Sequence, residues 1–185
     1  MKERFGSLPD VDELQRLLDD ARAAERSEAR GQERSLRHVA EESARLAGTL
    51  VDLAERGSGV TVRTATGRSH HGPVRLVATD FCVVGSESGD VWIALAAVTT
   101  VRPHPGERHV AATGSRPTVD LLLLEALSRV APERPRLSIV LSGGESVVGQ
   151  LRSVGTDLLT VRLDGDGRGV CYVSGSSVRE VFLSG

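Results

Sequence analysis

Aromatic residues are scarce in this chain of 185 residues: three Phe, one Tyr and one Trp. That scarcity counts against a surface built on stacked bases, which needs several exposed rings. Cysteine is nearly absent too. Cys82 and Cys171 each lie inside an apolar run with no motif spacing, which excludes a disulfide framework or a zinc cluster and reads as small buried side chains. No apolar run approaches the roughly 20 residues of a spanning helix, the longest candidates being VWIALAAVTTV at 91–101 and VDLLLL at 119–124. The start, MKERFGSLPDVDELQ, has no apolar core of the secretory kind, so a cytoplasmic, membrane-free protein is expected. An excess of one charge is also missing. The net charge is −2, and no stretch of the chain carries the basic surplus of a strong phosphate-binding surface.

Lysine is represented by Lys2 alone against 22 arginines, alongside much Ala, Gly and Val. This is the composition of GC-rich bacterial genomes. It reports mutational bias rather than function. With 39% hydrophobic residues the chain has enough apolar mass for one ordinary domain or two small ones.

Residues 10–56 have helical periodicity. Val11, Leu14, Leu17, Leu18 and Ala21 form one apolar stripe, and Leu36 to Ala54 a second, separated by the charged ARAAERSEARGQER. From Gly59 the period falls to about two, and VTVRTAT, GPVRLVAT, FCVVG, VWIAL and AVTTV are strand candidates separated by turn residues. After the loop RPHPGERHVAATGSRP, Thr118 is placed to cap a short helix over VDLLLLEALSRVA, stopped by Pro132. Strands then resume as RLSIVLS, VVGQLRSV, LLTVRL, GVCYVS and SVREVFL.

The second strand series repeats the first. HGPVRLVATDFCVV at 71–84 returns as VGQLRSVGTDLLTV at 148–161, an offset of 77, with eight identities in 25 positions. They include Gly72 with Gly149, Arg75 with Arg152 and Asp80 with Asp157; beyond them the offset becomes 80, pairing Trp92 with Tyr172 and Val98 with Val178. The register also runs backwards, setting Leu46, Leu50 and Leu53 on Leu123, Leu127 and Val130. The repeated unit is therefore a helix plus five strands.

Such a unit, with a glycine in the second strand and a Thr-Asp turn after it, resembles the Sm-like family of Hfq and the Sm proteins. VVGQLRSVGTDLLTVRL is similar to the first Sm motif and GVCYVSGSSVREVFL to the second. The fold this implies is mainly β with α: two five-stranded Sm-like barrels in tandem, each preceded by a helix, behind an N-terminal helical arm. The corresponding divisions are an arm over 1–35, a first helix and barrel over 36–103, a linker over 104–117, and a second helix and barrel over 118–185. Gly72, Gly149 and Gly175 would permit sharp bends, and Asp80 and Asp157 would anchor turns.

The family's base pocket does not carry over, because Val83 and Thr160 stand at the asparagine position and Ser174 precedes Gly175 where a basic residue is expected. No nucleophile, base and carboxylate set recurs in the sequence, and no cofactor or metal is expected. His70 and His71, with His104 and His109, could meet at one end of the first barrel around a metal, but adjacent histidines on a strand point to opposite faces, so at most one of the pair would join such a site. The function expected is a non-enzymatic interaction or scaffold protein that binds a protein partner or itself, barrel edge to barrel edge, with a trimer supplying six barrels. The alternative is an RNA-binding regulator, less readily a DNA-binding one, that uses arginines on the barrel faces, for which Arg63, Arg68, Arg75, Arg152 and Arg162 are the candidate contacts.

Overall fold

Val60 and Val62 alternate with exposed or half-exposed neighbours, and this two-residue period sets the first strand, β1 (Gly59–Thr64), with one face toward an apolar core. The computed structural model describes residues 45–86, 89–105, 119–165 and 169–184. They all fall in one compact unit, 44–185. Helix α1 (Leu46–Glu55) precedes β1 and buries Leu50 and Leu53. It ends where Gly57 takes φ +65, the left-handed conformation expected just past a helix C-terminus. The remaining strands of the first half are β2 (Ser69–Val77), β3 (Phe81–Ser86), β4 (Gly89–Ala94) and β5 (Val98–Pro103).

The second half repeats this order. Helix α2 (Leu123–Val130) leads into β6 (Arg136–Leu141), β7 (Ser146–Val154), β8 (Leu158–Leu163), β9 (Val170–Ser174) and β10 (Val178–Ser184). Both helices begin at positions 77 residues apart, Leu46 and Leu123. Small details coincide as well. Gly67 and Gly144 turn the first hairpin of each half at φ +83 and +84, and each hairpin is tied to the 3₁₀ turn before the fifth strand of its half, by Ala65 N–H to Ala97 O and by Ser142 N–H to Ser177 O, both 2.8 Å.

All ten strands join one antiparallel sheet in the order β5-β1-β2-β3-β4-β10-β6-β7-β8-β9. The expectation of two closed five-stranded barrels is therefore overturned. Closure would require β4 to meet β5, and β9 to meet β10. Instead β4 takes β10 as its outer neighbour, pairing Ile93 with Glu180, Trp92 with Val181 and Val91 with Phe182, and β5 and β9 become the two ends of an open sheet. The N-terminal arm expected over 1–35 lies outside the described residues, as does all but a little of the linker. Two short helices are what the described residues contain, and neither is long and apolar enough to cross a membrane. Helix α2 also starts later than its sequence suggests. Thr118 lies outside the described residues, and α2 begins at Leu123.

Two apolar clusters hold the sheet. One lies under α1 and gathers Leu50, Val60, Val62, Cys82, Val84 and Ile93. The other lies under α2 and gathers Leu127, Leu137, Ile139, Leu151, Leu159 and Val161, together with Phe81 and Val83 from the first half. Strand β3 thus serves both: Cys82 and Val84 face one cluster, Phe81 and Val83 the other, and five of its six residues are buried. Its counterpart β8 is covered on one side only. Leu159 and Val161 are buried, whereas Leu158 and Arg162 are exposed.

Candidate functional site

The candidate arginines are set by strand geometry. Across β2 and β3 the pairing passes from Val74–Val84 to Leu76–Val83, and across β7 and β8 from Leu151–Val161 to Ser153–Thr160. Arg75 and Arg152 are the residues passed over. Each is the extra residue of a β-bulge, which turns its side chain out of the ladder and bends the strand. A long cation tolerates that exposure. Arg75 Nε sits 3.2 Å from Asp90 Oδ1, Arg152 reaches Gln150, and Arg68 donates to Ser146 Oγ across the two halves at 3.2 Å. Arg63 is exposed on β1, and Arg162 lies beside Arg136, Asp164 and Gln150 on the β7–β8 face. Arg136 is in turn paired with Asp164 at 2.9 Å. The five candidates are thus distributed over both halves, and several already have an acceptor.

The glycines act by close approach. A Cβ on Gly72, at φ +149, would stand 1.7 Å from the carbonyl oxygen of Gly85, and one on Gly149 would stand 2.2 Å from that of Arg162. Both glycines let the backbone of the neighbouring strand approach closely. Gly175 opens the short 3₁₀ turn Gly175–Ser177, and a Cβ there would meet Leu124 Cδ1 at 2.5 Å.

The two Thr-Asp turns share their backbone bonds, but their side chains have different surroundings. The Asp80 carbonyl accepts from Leu95 N–H and the Asp157 carbonyl from Gly175 N–H. The Asp80 carboxylate also accepts the N–H of Leu123, the first residue of α2, at 2.8 Å. Thr79 bonds to the chain entering that helix, through Val119 O, Asp120 Oδ1 and Leu121 N–H. Glu125 completes the start of α2 by accepting from Leu122 N–H at 3.0 Å. The first half thereby grips the helix of the second, flanked by an open groove of about 960 Å³ that Asp120, Leu122 and Thr156 help to line. Asp157 stays exposed.

A buried carboxylate lies at the join between the halves. Glu180, on β10, is fully buried and accepts from Thr64 Oγ1 at 2.6 Å, Thr66 Oγ1 at 2.5 Å and His70 Nε2 at 3.0 Å. Burial alone would raise its pKa, but the bonds from His70, Thr64 and Thr66 and the charge of a protonated His70 outweigh that, and it falls from 4.5 to about 2. A carboxylate only accepts, so Nε2 of His70 carries the proton in this bond. His71 points elsewhere, bonding Thr61 Oγ1 through Nδ1 at 2.9 Å. His104 follows β5 near Gly59, and His109 lies outside the described residues. The sequence reading missed Glu180 altogether. Its one trace there is that the position 80 residues earlier is Thr100, a neutral residue where the second half has a charge.

Cys82 is buried in the first cluster, and desolvation pushes its thiol up to about 12, which leaves it unreactive. Cys171 is half-buried on β9. The equivalent aromatics part company: Trp92 stacks on Phe81 with centroids 5.6 Å apart, while Tyr172 on β9 is 69% exposed. The exposed large apolar residues include Leu158, Leu163, Val170 and Tyr172, which gather at the β8–β9 end of the sheet. No protein-family model, curated protein or solved structure matches the chain.

Proposed function

We propose that this protein is a non-enzymatic, cytoplasmic interaction scaffold that self-associates through the edges of its sheet. The observation that carries this reading is the apolar end at β9, which has no strand partner on its outer side among the described residues. An edge strand exposes a row of backbone donors and acceptors, and proteins ordinarily shield it with charge, bulges or a covering element. Here the edge carries Val170 and Tyr172 instead, both among the most exposed large apolar side chains of the described residues. The resemblance to the Sm-like family belongs to the same proposal at the level of strand order. It is supported by the sequence β5-β1-β2-β3-β4 recurring as β10-β6-β7-β8-β9. A ring of three chains, carrying six five-strand units, is the assembly we favour; head-to-tail contacts form such a ring when their rotation closes.

The groups with displaced titration support a structural role for the polar interior. Glu180 is enclosed by its three partners and Cys82 by apolar side chains. The candidate arginines are spread over both halves, which favours a protein partner over RNA.

The test is the mass of the full-length protein in solution across a wide concentration range, with Tyr172→Lys measured beside it. A mass above the 19.7 kDa of one chain, falling on dilution and in Tyr172→Lys, supports the reading. A single-chain mass throughout, with tight and salt-dependent binding to a mixed RNA pool, would favour the RNA alternative.

A further inference from the structure

We propose that each half of the sheet carries a pocket for a small oxyanion, a free phosphate group in particular, at the same place in its strand order. In the second half three neighbouring strands put one residue each into a single cross-strand row: Arg136 on β6 stands opposite Gln150 on β7, and Gln150 opposite Arg162 on β8. Residues in such a row share a face, about 5 Å apart from strand to strand. Their chain neighbours Leu137, Leu151 and Val161 are buried, so the row looks outward. It borders an open pocket of about 290 Å³ that Asp164 and Gly165 also line.

Two like charges in one row repel, and one carboxylate answers them. Arg136 Nη2 lies 2.9 Å from Asp164 Oδ2. Among the described lining residues this leaves one positive charge in excess, and most N–H donors of the two guanidiniums have no acceptor. A planar donor fork on each side of a neutral amide suits the oxygens of a phosphate group.

The first half assembles the same chemistry from other residues. Positions 136, 150 and 162 correspond to Gly59, Pro73 and Gly85, none of which has a side-chain donor. Yet a pocket of about 450 Å³ lies there too, lined by Pro73 and Gly85 with His71, Arg75 and His104. The two glycines give the replacements their room. A Cβ on Gly85 would stand 2.2 Å from Arg75 Nε, and one on Gly59 would stand 2.8 Å from His104 Nδ1. Arg75 is held by a single carboxylate, Asp90 at 3.2 Å, as Arg136 is by Asp164. That carboxylate is not an inherited position either, since Asp90 corresponds to Val170. His71 bonds Thr61 through Nδ1, which leaves its Nε2.

Basic donors therefore recur at one place in both halves although none of the residues that supply them corresponds. Repetition of the sequence does not account for that, and a shared ligand does. Size and lining limit the ligand. A pocket of about 290 Å³ is at the low end of those that hold drug-sized molecules, and neither pocket is lined by a Phe, Tyr or Trp ring on which a base would stack.

Inorganic phosphate is titrated into the full-length, isotope-labelled protein at fixed ionic strength, and the amide resonances are followed. Two saturable sets of shifts are expected, one at His71, Gly85 and Ser86 and one at Gln150, Arg162 and Leu163, and sodium chloride at the same ionic strength should produce neither. Arg136→Gln with Arg162→Gln should weaken the second set about tenfold or more and leave the first, and Arg75→Gln with His104→Gln should do the converse. All four side chains are exposed, so both variants should keep the wild-type thermal midpoint. A short single-stranded RNA should bind no more tightly per phosphate than the free ion. Shifts that grow linearly with phosphate, or that survive unchanged in both double variants, would overturn the proposal. So would an RNA that saturates both sets where free phosphate does not, since the face would then follow a polymer backbone instead of holding a small anion.

Discussion

Glu180 holds a negative charge where no solvent reaches it, and three donors make that tolerable. The folded carboxyl titrates near 2 against an ordinary 4.5, so its contribution to stability is complete above about pH 4.5 and is lost as the pH falls toward 2. A shift of that size corresponds to about 3 kcal/mol. Glu180→Gln is expected to lower stability by about that amount at neutral pH and to flatten its pH dependence between roughly pH 5 and 2; denaturant titrations at several pH values in that window measure both. The glycines give a second residue-scale test. Gly72→Ala and Gly149→Ala each force a methyl against a backbone carbonyl and should cost about 3 kcal/mol or more. Gly143→Ala, where nothing lies within 4 Å, should change stability by less than about 0.5 kcal/mol. Glu180 was illegible in the sequence because its partners lie more than 100 residues away, and SVREVFL reads as an ordinary strand in which Glu180 looks solvent-facing.

Elements were read more readily from the sequence than their partners were. The offset of 77 between the two strand series reappears in the helix starts, in the turns at Gly67 and Gly144 and in the bulges at Arg75 and Arg152. Local period and turn chemistry are properties of neighbouring residues, which is why they show in one dimension. Which strand meets which is not local. The pairing of β4 with β10 joins residues 87 to 91 positions apart, and nothing in VWIAL or SVREVFL announces it. Closed barrels were expected for that reason, since each unit viewed alone has a fourth and a fifth strand left to join. The role of Asp80 was half visible: a turn carboxylate is legible, its reach to Leu123 of the following helix is not. Asp80→Ala should destabilise the chain by about 1 kcal/mol through loss of that helix cap, whereas Asp157→Ala should leave the stability of a dilute, monomeric sample unchanged. Thermal unfolding of the two variants at low concentration distinguishes them.

For the molecule as a whole, the first half is covered on both sides of β3 while the second leaves the outer side of β8 open. Among the described residues, one seam joins the two halves and the matching edges, β5 and β9, end the sheet. The most direct measurement is hydrogen–deuterium exchange on the full-length protein at low and high concentration, read at the amides of β5 and β9. Protection at Val98–Pro103 and Val170–Ser174 should rise with concentration, with β4 and β10 protected throughout. Equal and rapid exchange of both edges at every concentration, with the β4–β10 seam still protected, would contradict the proposal that these edges are where the protein works.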